Sequence, residues 1–249
     1  MYNATSSTPL KTVEVTTVAG QGFVMGSGNR VPIPSTAAAD PQADASMLIV
    51  DRSRNLSWDF YQAQQLNSET WRCNVCATTD LAGSGVRPPT GDRPDWYLSH
   101  GARACGFPLI AGLIRADEIR AGRIDHALVL AYPGIRSRYF KPPASTAQAT
   151  FPAISPTEGI PCGGRIQLDP SINVDTLPLS RSGKIIARAL QEYGAYVGDY
   201  SGSLSFYADG SDEAIAYWNS GVLNSSDLHG INPRWFRVLP IGSLYNNNN

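Results

Sequence analysis

Few residues of this chain have side chains suited to chemistry, and the clearest is Asp199 in the run G-A-Y-V-G-D-Y-S-G-S. A carboxyl group flanked by tyrosines and glycines is typical of a sugar-binding surface. Aromatic faces stack on pyranose rings, glycines allow close approach of the ligand, and an acid hydrogen-bonds hydroxyls or transfers a proton. A tight β-turn in which Asp199 accepts backbone N–H bonds explains the same run equally well.

Strand alternation gives a second candidate, Asp59, in the predicted strand Leu56–Gln64. Successive side chains of a strand point to opposite faces, so two sets separate. One set is Leu56, Trp58 and Phe60, and the other is Ser57, Asp59 and Tyr61. If the first set packs on the core, Asp59 and Tyr61 lie on the opposite, partly polar surface. In the predicted strand Ala195–Tyr200, the same rule places Asp199 opposite Tyr196, Gly198 and Tyr200.

Histidine chemistry centres on His126, in the apolar run I-D-H-A-L-V-L. A hydrogen-bonded core histidine and a catalytic histidine tuned by a neighbouring acid are both compatible with that position. A Ser-His-Asp triad could be assembled from Ser99 or Ser201, but G-D-Y-S-G-S is not the G-x-S-x-G elbow. Asp125 and Asp227 are further acids available for glycoside cleavage. His100 and His229 are the other two histidines of the chain.

The four cysteines favour two disulfides. Cys73 and Cys76 form a C-x-x-C pair, whereas Cys105 and Cys162 are far apart, unlike the second close pair of a typical zinc site. An even number of cysteines in a chain rich in Thr, Ser and Asn fits disulfides better, with zinc or free buried thiols as alternatives. Because no two histidines have a ligand spacing and no Walker loop is present, we predict no metal and no cofactor.

Composition excludes two classes of partner. The 249 residues carry a formal net charge of -1, and only 16% are charged. Phosphate binding requires clustered basic residues, so we expect no nucleic-acid partner. No apolar run approaches the roughly 18–20 residues of a membrane helix, so we expect no membrane partner. The sequence carries no signal for an oligomeric state.

The 23 glycines and 18 prolines separate short β-rich runs, which predicts a mainly β protein, an antiparallel β-sandwich of jelly-roll type. The other predicted strands are Met47–Asp51, Trp71–Ala77, Ile124–Ala131, Arg165–Leu168, Leu204–Ala208 and Trp235–Leu239. Two or three short helices are expected at Ala116–Ala121, Ser182–Tyr193 and Ser211–Asn219. Helices are too few for a parallel βαβ fold, which favours antiparallel pairing. The series of short strands between turns predicts one domain over residues 1–249. Residues 1–45 form an N-terminal edge strand and loop, and residues 246–249 form a tail.

The run from Ala104 to Leu128 resembles a broad group of uncharacterised secreted bacterial proteins. The group's motif is G-L-P-L-L-x-G-L-I-R-x-x-E-x-x-x-G-x-I-x-H-A-L, and this chain matches it at several positions that include Gly106, Arg115, Glu118 and His126. The resemblance continues through G-G-R-I-Q-L-D-P-S-I and the Asp199 run, and it covers residues 47–245. Asp59 stands where the group frequently has Glu, which argues against a strict nucleophile role there.

This resemblance implies a secreted protein with a carbohydrate-related role, although the chain shows no signal peptide. Either a leader has been removed or the protein is cytosolic. We expect a secreted enzyme that cleaves a polysaccharide, a glycoside hydrolase first of all. Asp199 would be the proton donor or stabilising carboxylate, with His126 or Asp59 as its partner. The predicted sugar contacts are Tyr61, Tyr196 and Trp58.

Two alternatives stay open at the level of the sequence. A polysaccharide lyase acting on an acidic glycan would use His126 and a tyrosine for proton abstraction, with Arg165 neutralising the uronate. A non-catalytic glycan-binding or surface-assembly module would bind without turnover. Unsaturated products would indicate the lyase, and glycan binding without product release would indicate the module.

Overall fold

The computed structural model describes residues 1–16, 25–87, 101–147 and 157–246. Within these ranges the chain is mainly β, with three α-helices. The strands are β1 (Tyr2–Asn3), β2 (Leu10–Val15), β3 (Asn29–Pro32), β4 (Met47–Asp51), β5 (Leu56–Tyr61), β6 (Gln64–Gln65), β7 (Thr70–Cys73), β8 (Val75–Asp80), β9 (Leu128–Ala131), β10 (Ile135–Phe140), β11 (Ile160–Cys162), β12 (Arg165–Leu168), β13 (Ala195–Asp199), β14 (Ser205–Phe206), β15 (Phe236–Val238) and β16 (Tyr245–Asn246).

The three helices, α1 (Ala116–Ala121), α2 (Arg181–Glu192) and α3 (Asp212–Tyr217), lie where the sequence predicts them. The Ser180 side chain accepts a hydrogen bond from the Gly183 N–H and so caps α2. Gly194, with φ of 69°, follows α2 in the left-handed conformation. Buried Ile185, Ile186, Ala187, Ala189 and Leu190 hold α2 on the sheet.

The strands form four sheets, in the orders β1-β4-β5-β8, β3-β2-β7-β6, β11-β10-β16 and β14-β9-β13-β12-β15. They are mixed, which corrects the antiparallel prediction: β1–β4, β2–β7, β9–β13 and β10–β11 pair in parallel. A parallel pair needs a long crossover connection. The chain between β9 and β13 is such a connection, and it contains α2. Parallel pairing therefore occurs here without a helix after most strands.

The prediction for the N-terminus is wrong in detail. β2 lies inside its sheet between β3 and β7, so it is not an edge strand. At the other end, Asn246, predicted to begin a tail, belongs to β16 and pairs with Tyr139. β10 and β11 are additional strands that the sequence analysis does not predict.

Two large apolar clusters form the core. One surrounds α2 and the five-stranded sheet, and the other fills the N-terminal half around Val13, Phe60 and Trp71. A third, small cluster of Leu48, Val50 and Leu113 lies alongside partly buried Leu109 and Tyr207. This third cluster brings β4 against the segment that precedes α1.

The prediction of two disulfides is confirmed. Cys73 pairs with Cys76, and Cys105 pairs with Cys162, with Cα–Cα distances of 6.1 and 5.5 Å. All four cysteine residues are fully buried. In the ranges that the structure covers, no helix is both long and apolar enough to cross a membrane.

Candidate functional site

Asp199 lies at the end of β13, immediately after an irregularity in the strand pairing. Val197 pairs with Leu130 and Asp199 with the next residue, Ala131, so Gly198 is an extra residue on β13. A bulge of this kind changes the direction of the following side chain. Strict alternation is therefore interrupted, and Asp199 lies against the segment around Ala104 and Phe107 that also covers Gly198.

The Asp199 carboxyl is partly buried and accepts three hydrogen bonds. Oδ1 accepts from the Tyr200 N–H at 2.9 Å, Oδ2 accepts from the Tyr207 hydroxyl at 3.2 Å, and the Ala104 N–H also donates to the carboxyl. Burial raises the pKa of Asp199, outweighing these hydrogen bonds and the charge of Arg103, which lower it. A carboxyl group of this kind can hold a proton for donation.

Arg103 lies beneath Tyr207. Its guanidinium carbon is 4.2 Å from the Tyr207 ring centroid, and its terminal nitrogens donate to the Ala111 and Leu109 carbonyls at 2.8 and 3.0 Å. Burial raises the pKa of Tyr207, and the charge of Asp199 raises it further. Tyr207 thus stays protonated and donates its hydroxyl to the carboxyl.

The structure adds Asp44 to the candidate site residues, although the sequence pattern does not predict it. Asp44 is exposed on a loop, and its charge, like that of Asp199, acts on both Tyr61 and Tyr207. Burial raises the pKa of Tyr61, with Asp44 and then Asp199 contributing. No sequence signal marks Asp44, because its approach to the tyrosines depends on the pairing of distant loops.

Backbone strain accompanies Asp44 and Tyr61. Ala45 and Gln62, which directly follow them, have positive φ angles of 41° and 54°. Two hydrogen bonds hold the loops together, from Gln62 N to Asp44 O at 2.8 Å and from Ala63 N to Ala45 O at 2.9 Å. Non-glycine residues with positive φ are uncommon and concentrate at functional sites. The strained turns therefore mark this surface as a candidate site.

Asp59 is not on an outer surface, which corrects the sequence prediction. It is fully buried because both faces of β5 are covered, and its Oδ2 contacts Arg87 Nη2 at 3.4 Å and the Leu109 N–H at 3.1 Å. Burial raises the pKa of Asp59, against the lowering influence of Arg87 and Arg103. Asp59 therefore holds the segment that contains Leu109 through a hydrogen bond, and its full burial keeps it from contact with a polymer.

His126 does not join Asp199. Its Nε2 contacts Glu118 Oε1 at 3.0 Å, and its Nδ1 lies 3.0 Å from the Ala127 carbonyl oxygen. The Glu118 hydrogen bond raises the pKa of His126, so both ring nitrogens act as donors in the charged form. The pair links the first turn of α1 to the chain that leads into β9. The predicted strand Ile124–Ala131 begins only at Leu128.

The other predicted sugar contacts have structural roles. Trp58 is buried in the N-terminal cluster and so cannot stack on a sugar. Arg165 donates to the Tyr193 carbonyl at the end of α2, and its guanidinium carbon lies 5.4 Å from the Tyr196 ring centroid. Tyr196 is partly buried and 6.2 Å from Phe107. Among these predicted contacts, Tyr61 is the one whose pKa the charge of Asp199 raises.

None of the remaining candidates that the structure describes forms a hydrogen bond or ion pair with Asp199. Ser99 and His100 lie outside the described residues. The Ser201 hydroxyl donates to the Ser203 carbonyl, and His229 is exposed on a loop. Gly198 serves packing rather than ligand approach, because a Cβ there would lie 2.3 Å from Val129 Cγ1. Among the residues whose positions are described, no three of His, Cys, Asp or Glu are grouped to hold a metal.

Comparison with known proteins finds a similar human protein but no matching family model or solved structure. The chain is 26% identical over 156 residues to the human protein FLJ37218, which is described as uncharacterized. The match covers 58% of this chain and 68% of the human protein. No protein-family model and no solved structure matches the chain.

Proposed function

We propose that this protein is a secreted glycoside hydrolase that cleaves a polysaccharide at the surface formed by Asp199, Tyr207, Tyr61 and Asp44. The supporting observation is that the charges of two carboxyl groups, Asp199 and Asp44, raise the pKa of the same two tyrosines. Asp199 is partly buried with a raised pKa, whereas Asp44 is exposed. Glycoside hydrolysis uses two carboxyl groups in different environments, one of them with a raised pKa.

In this proposal Asp199 protonates the glycosidic oxygen, and Asp44 serves as the second carboxylate. The Tyr207 hydroxyl orients Asp199 through its hydrogen bond, and Tyr61 offers an aromatic contact to the sugar. Arg103 is a positioning residue, since its buried charge faces Asp199 and its guanidinium stacks on Tyr207. Asp44 thus takes the partner role that the sequence analysis gave to His126 or Asp59.

Two features support the proposed scaffold and location. The N-terminal cluster joins Val13 and Trp71 of one sheet to Ile49 and Phe60 of another, which is compatible with sheets layered as a sandwich of jelly-roll type. Disulfides persist mainly in oxidising compartments, so the two pairs here support secretion.

A lyase is less favoured by the same geometry. Proton abstraction next to a uronate needs a base, yet His126 is engaged with Glu118 and the raised pKa of Tyr207 makes it a poor base. Arg165, the expected uronate ligand, is bound to the end of α2.

The test is product release from a panel of neutral and acidic polysaccharides, followed by reducing-end assay and mass spectrometry. Removing a general acid costs about 10²–10⁴-fold in rate, so Asp199→Asn should lose at least about 100-fold. Asp44→Asn should show a comparable loss. Asp212→Asn, at an exposed carboxylate that begins α3, is the matched control and should keep the wild-type rate.

Wild-type activity in Asp199→Asn would remove Asp199 from catalysis. Glycan binding by the wild-type protein without any product would overturn the hydrolase proposal in favour of a binding module. Unsaturated products would instead identify a lyase.

A further inference from the structure

A cleft with a volume of about 830 Å³ lies beside α2. Phe206 lines the cleft, whereas the next residue, Tyr207, bonds Asp199. Asp199, Tyr207, Tyr61 and Asp44 are not among the residues that line the cleft. Small-molecule sites typically measure roughly 300–1,000 Å³, and this cleft falls in that range.

The walls of the cleft are apolar and partly aromatic. Ile186 and Leu190 of α2 contribute on one side, and Phe206 and Phe236 come from β14 and β15. These two strands are the opposite edges of the five-stranded sheet, so the cleft reaches from one edge to the other. Trp218 adds an indole ring whose Nε1 already donates to the Asp209 carbonyl at 2.8 Å. Its ring is therefore left as an apolar wall.

The polar part of the lining consists of hydroxyl, amide and imidazole groups. These belong to Ser203, Ser205, Asn224, Ser225 and His229. No Asp, Glu, Lys or Arg is among the described residues that line the cleft. A ligand with a full charge would lose hydration here without meeting an opposite charge, which is costly. A neutral ligand would not incur that cost.

We propose that this cleft binds an uncharged, largely apolar small molecule that carries a hydroxyl or similar hydrogen-bonding group. Its apolar body packs against Trp218, Phe206 and Phe236, and its polar group meets the hydroxyls and the amide. Leu204, 38% exposed beside the cleft, becomes covered by the occupant. This site is separate from the surface that carries the proposed hydrolase activity, so either proposal can fail without the other.

The test uses the full chain and the neutral fluorescent probe N-phenyl-1-naphthylamine. We expect saturable binding of one probe per chain and displacement by dodecanol. Dodecanoate and dodecylammonium should displace it at least about tenfold less effectively, which corresponds to about 1.4 kcal/mol. Lack of saturable binding, or equal displacement by the charged and neutral chains, would overturn the proposal.

Two variants locate the probe in the cleft. Ala208→Trp fills part of its volume, and Leu204→Asp places a charge on an exposed side chain of its lining, where folding should be preserved. Each should weaken probe binding at least about tenfold. Ile215→Asp and Val238→Asp alter apolar side chains that are 44% and 48% exposed and lie outside the lining, so they should bind as the wild type does. Unchanged binding in folded Leu204→Asp would refute the assignment.

Discussion

Asp199 and Asp59 are both carboxyl groups whose pKa is raised by burial, yet only Asp199 is partly exposed. Arg103 lies close enough for its charge to act on both. Asp59 additionally contacts Arg87 in the interior. Breaking a buried ion pair by removing one partner costs about 3–5 kcal/mol, so Asp59 contributes to folding rather than to substrate contact.

At the residue scale we predict a pH-dependent stabilisation by His126. Its hydrogen bond with Glu118 raises the pKa of His126 above the ordinary value of 6.5. The stabilisation is therefore complete below about pH 6.5 and is lost as pH rises through the raised pKa. Despite partial burial, which acts in the other direction, the bond from His126 lowers the pKa of Glu118 below 4.5. That contribution is lost as pH falls through the lowered pKa.

Melting temperatures measured across pH check this. The difference between wild type and His126→Gln should be larger near pH 5.5 than near pH 8.5. His229→Gln is the matched control, because this histidine is exposed and makes no ion pair within the described ranges. A His126→Gln difference that stays constant over this pH range would contradict the ion-pair assignment.

At the element scale, Gly198 is the extra residue of β13 and so determines the direction of the Asp199 side chain. A Cβ at this position would lie 2.3 Å from Val129 Cγ1 and 3.4 Å from the Phe107 ring. We predict that Gly198→Ala lowers the free energy of unfolding by about 1–3 kcal/mol through overpacking. Gly202→Ala, where nothing lies within 4 Å, should change it by less than about 0.5 kcal/mol. Urea unfolding compares the two, and equal effects would contradict the role of Gly198 in packing.

The two disulfides should differ in their contribution to stability. Cys105 and Cys162 are separated by 57 positions, and Cys73 and Cys76 by only 3. Loop-closure entropy in the unfolded chain predicts about 4 kcal/mol for the long loop and about 2 kcal/mol for the short one. Paired alanine variants measured by urea unfolding check this order. A larger loss for the Cys73/Cys76 variant would contradict the chain-entropy explanation.

At the scale of the whole molecule, the small cluster of Leu48, Val50 and Leu113 is distinct from the two large clusters. A single domain, as the sequence predicts, should unfold in one cooperative transition with equal calorimetric and van't Hoff enthalpies. Leu113→Ala should lower the free energy of unfolding by about 2–5 kcal/mol without splitting the transition. Two resolved transitions in the wild-type protein would contradict the single-domain prediction.

Local sequence patterns determined much of the secondary structure. β4, β12 and α1 have the predicted bounds, and α2 and α3 begin and end within two residues of prediction. Capping by Ser180, the left-handed Gly194 and the apolar stripe of α2 are all local features, so the sequence carries them directly. The preference for disulfides likewise followed from the number and spacing of the cysteines.

Only the tertiary structure decided which side chains meet. Alternation along β5 separates Asp59 from Trp58, but it cannot show that both faces are covered and that Asp59 is buried. The bulge at Gly198, the parallel pairing of β9 with β13, and the approach of Asp44 to Tyr61 and Tyr207 all depend on register between distant segments. The burial that raises the pKa of Asp199 depends on residues packed around it from distant parts of the chain. The same packing places His126 against Glu118 and not against Asp199.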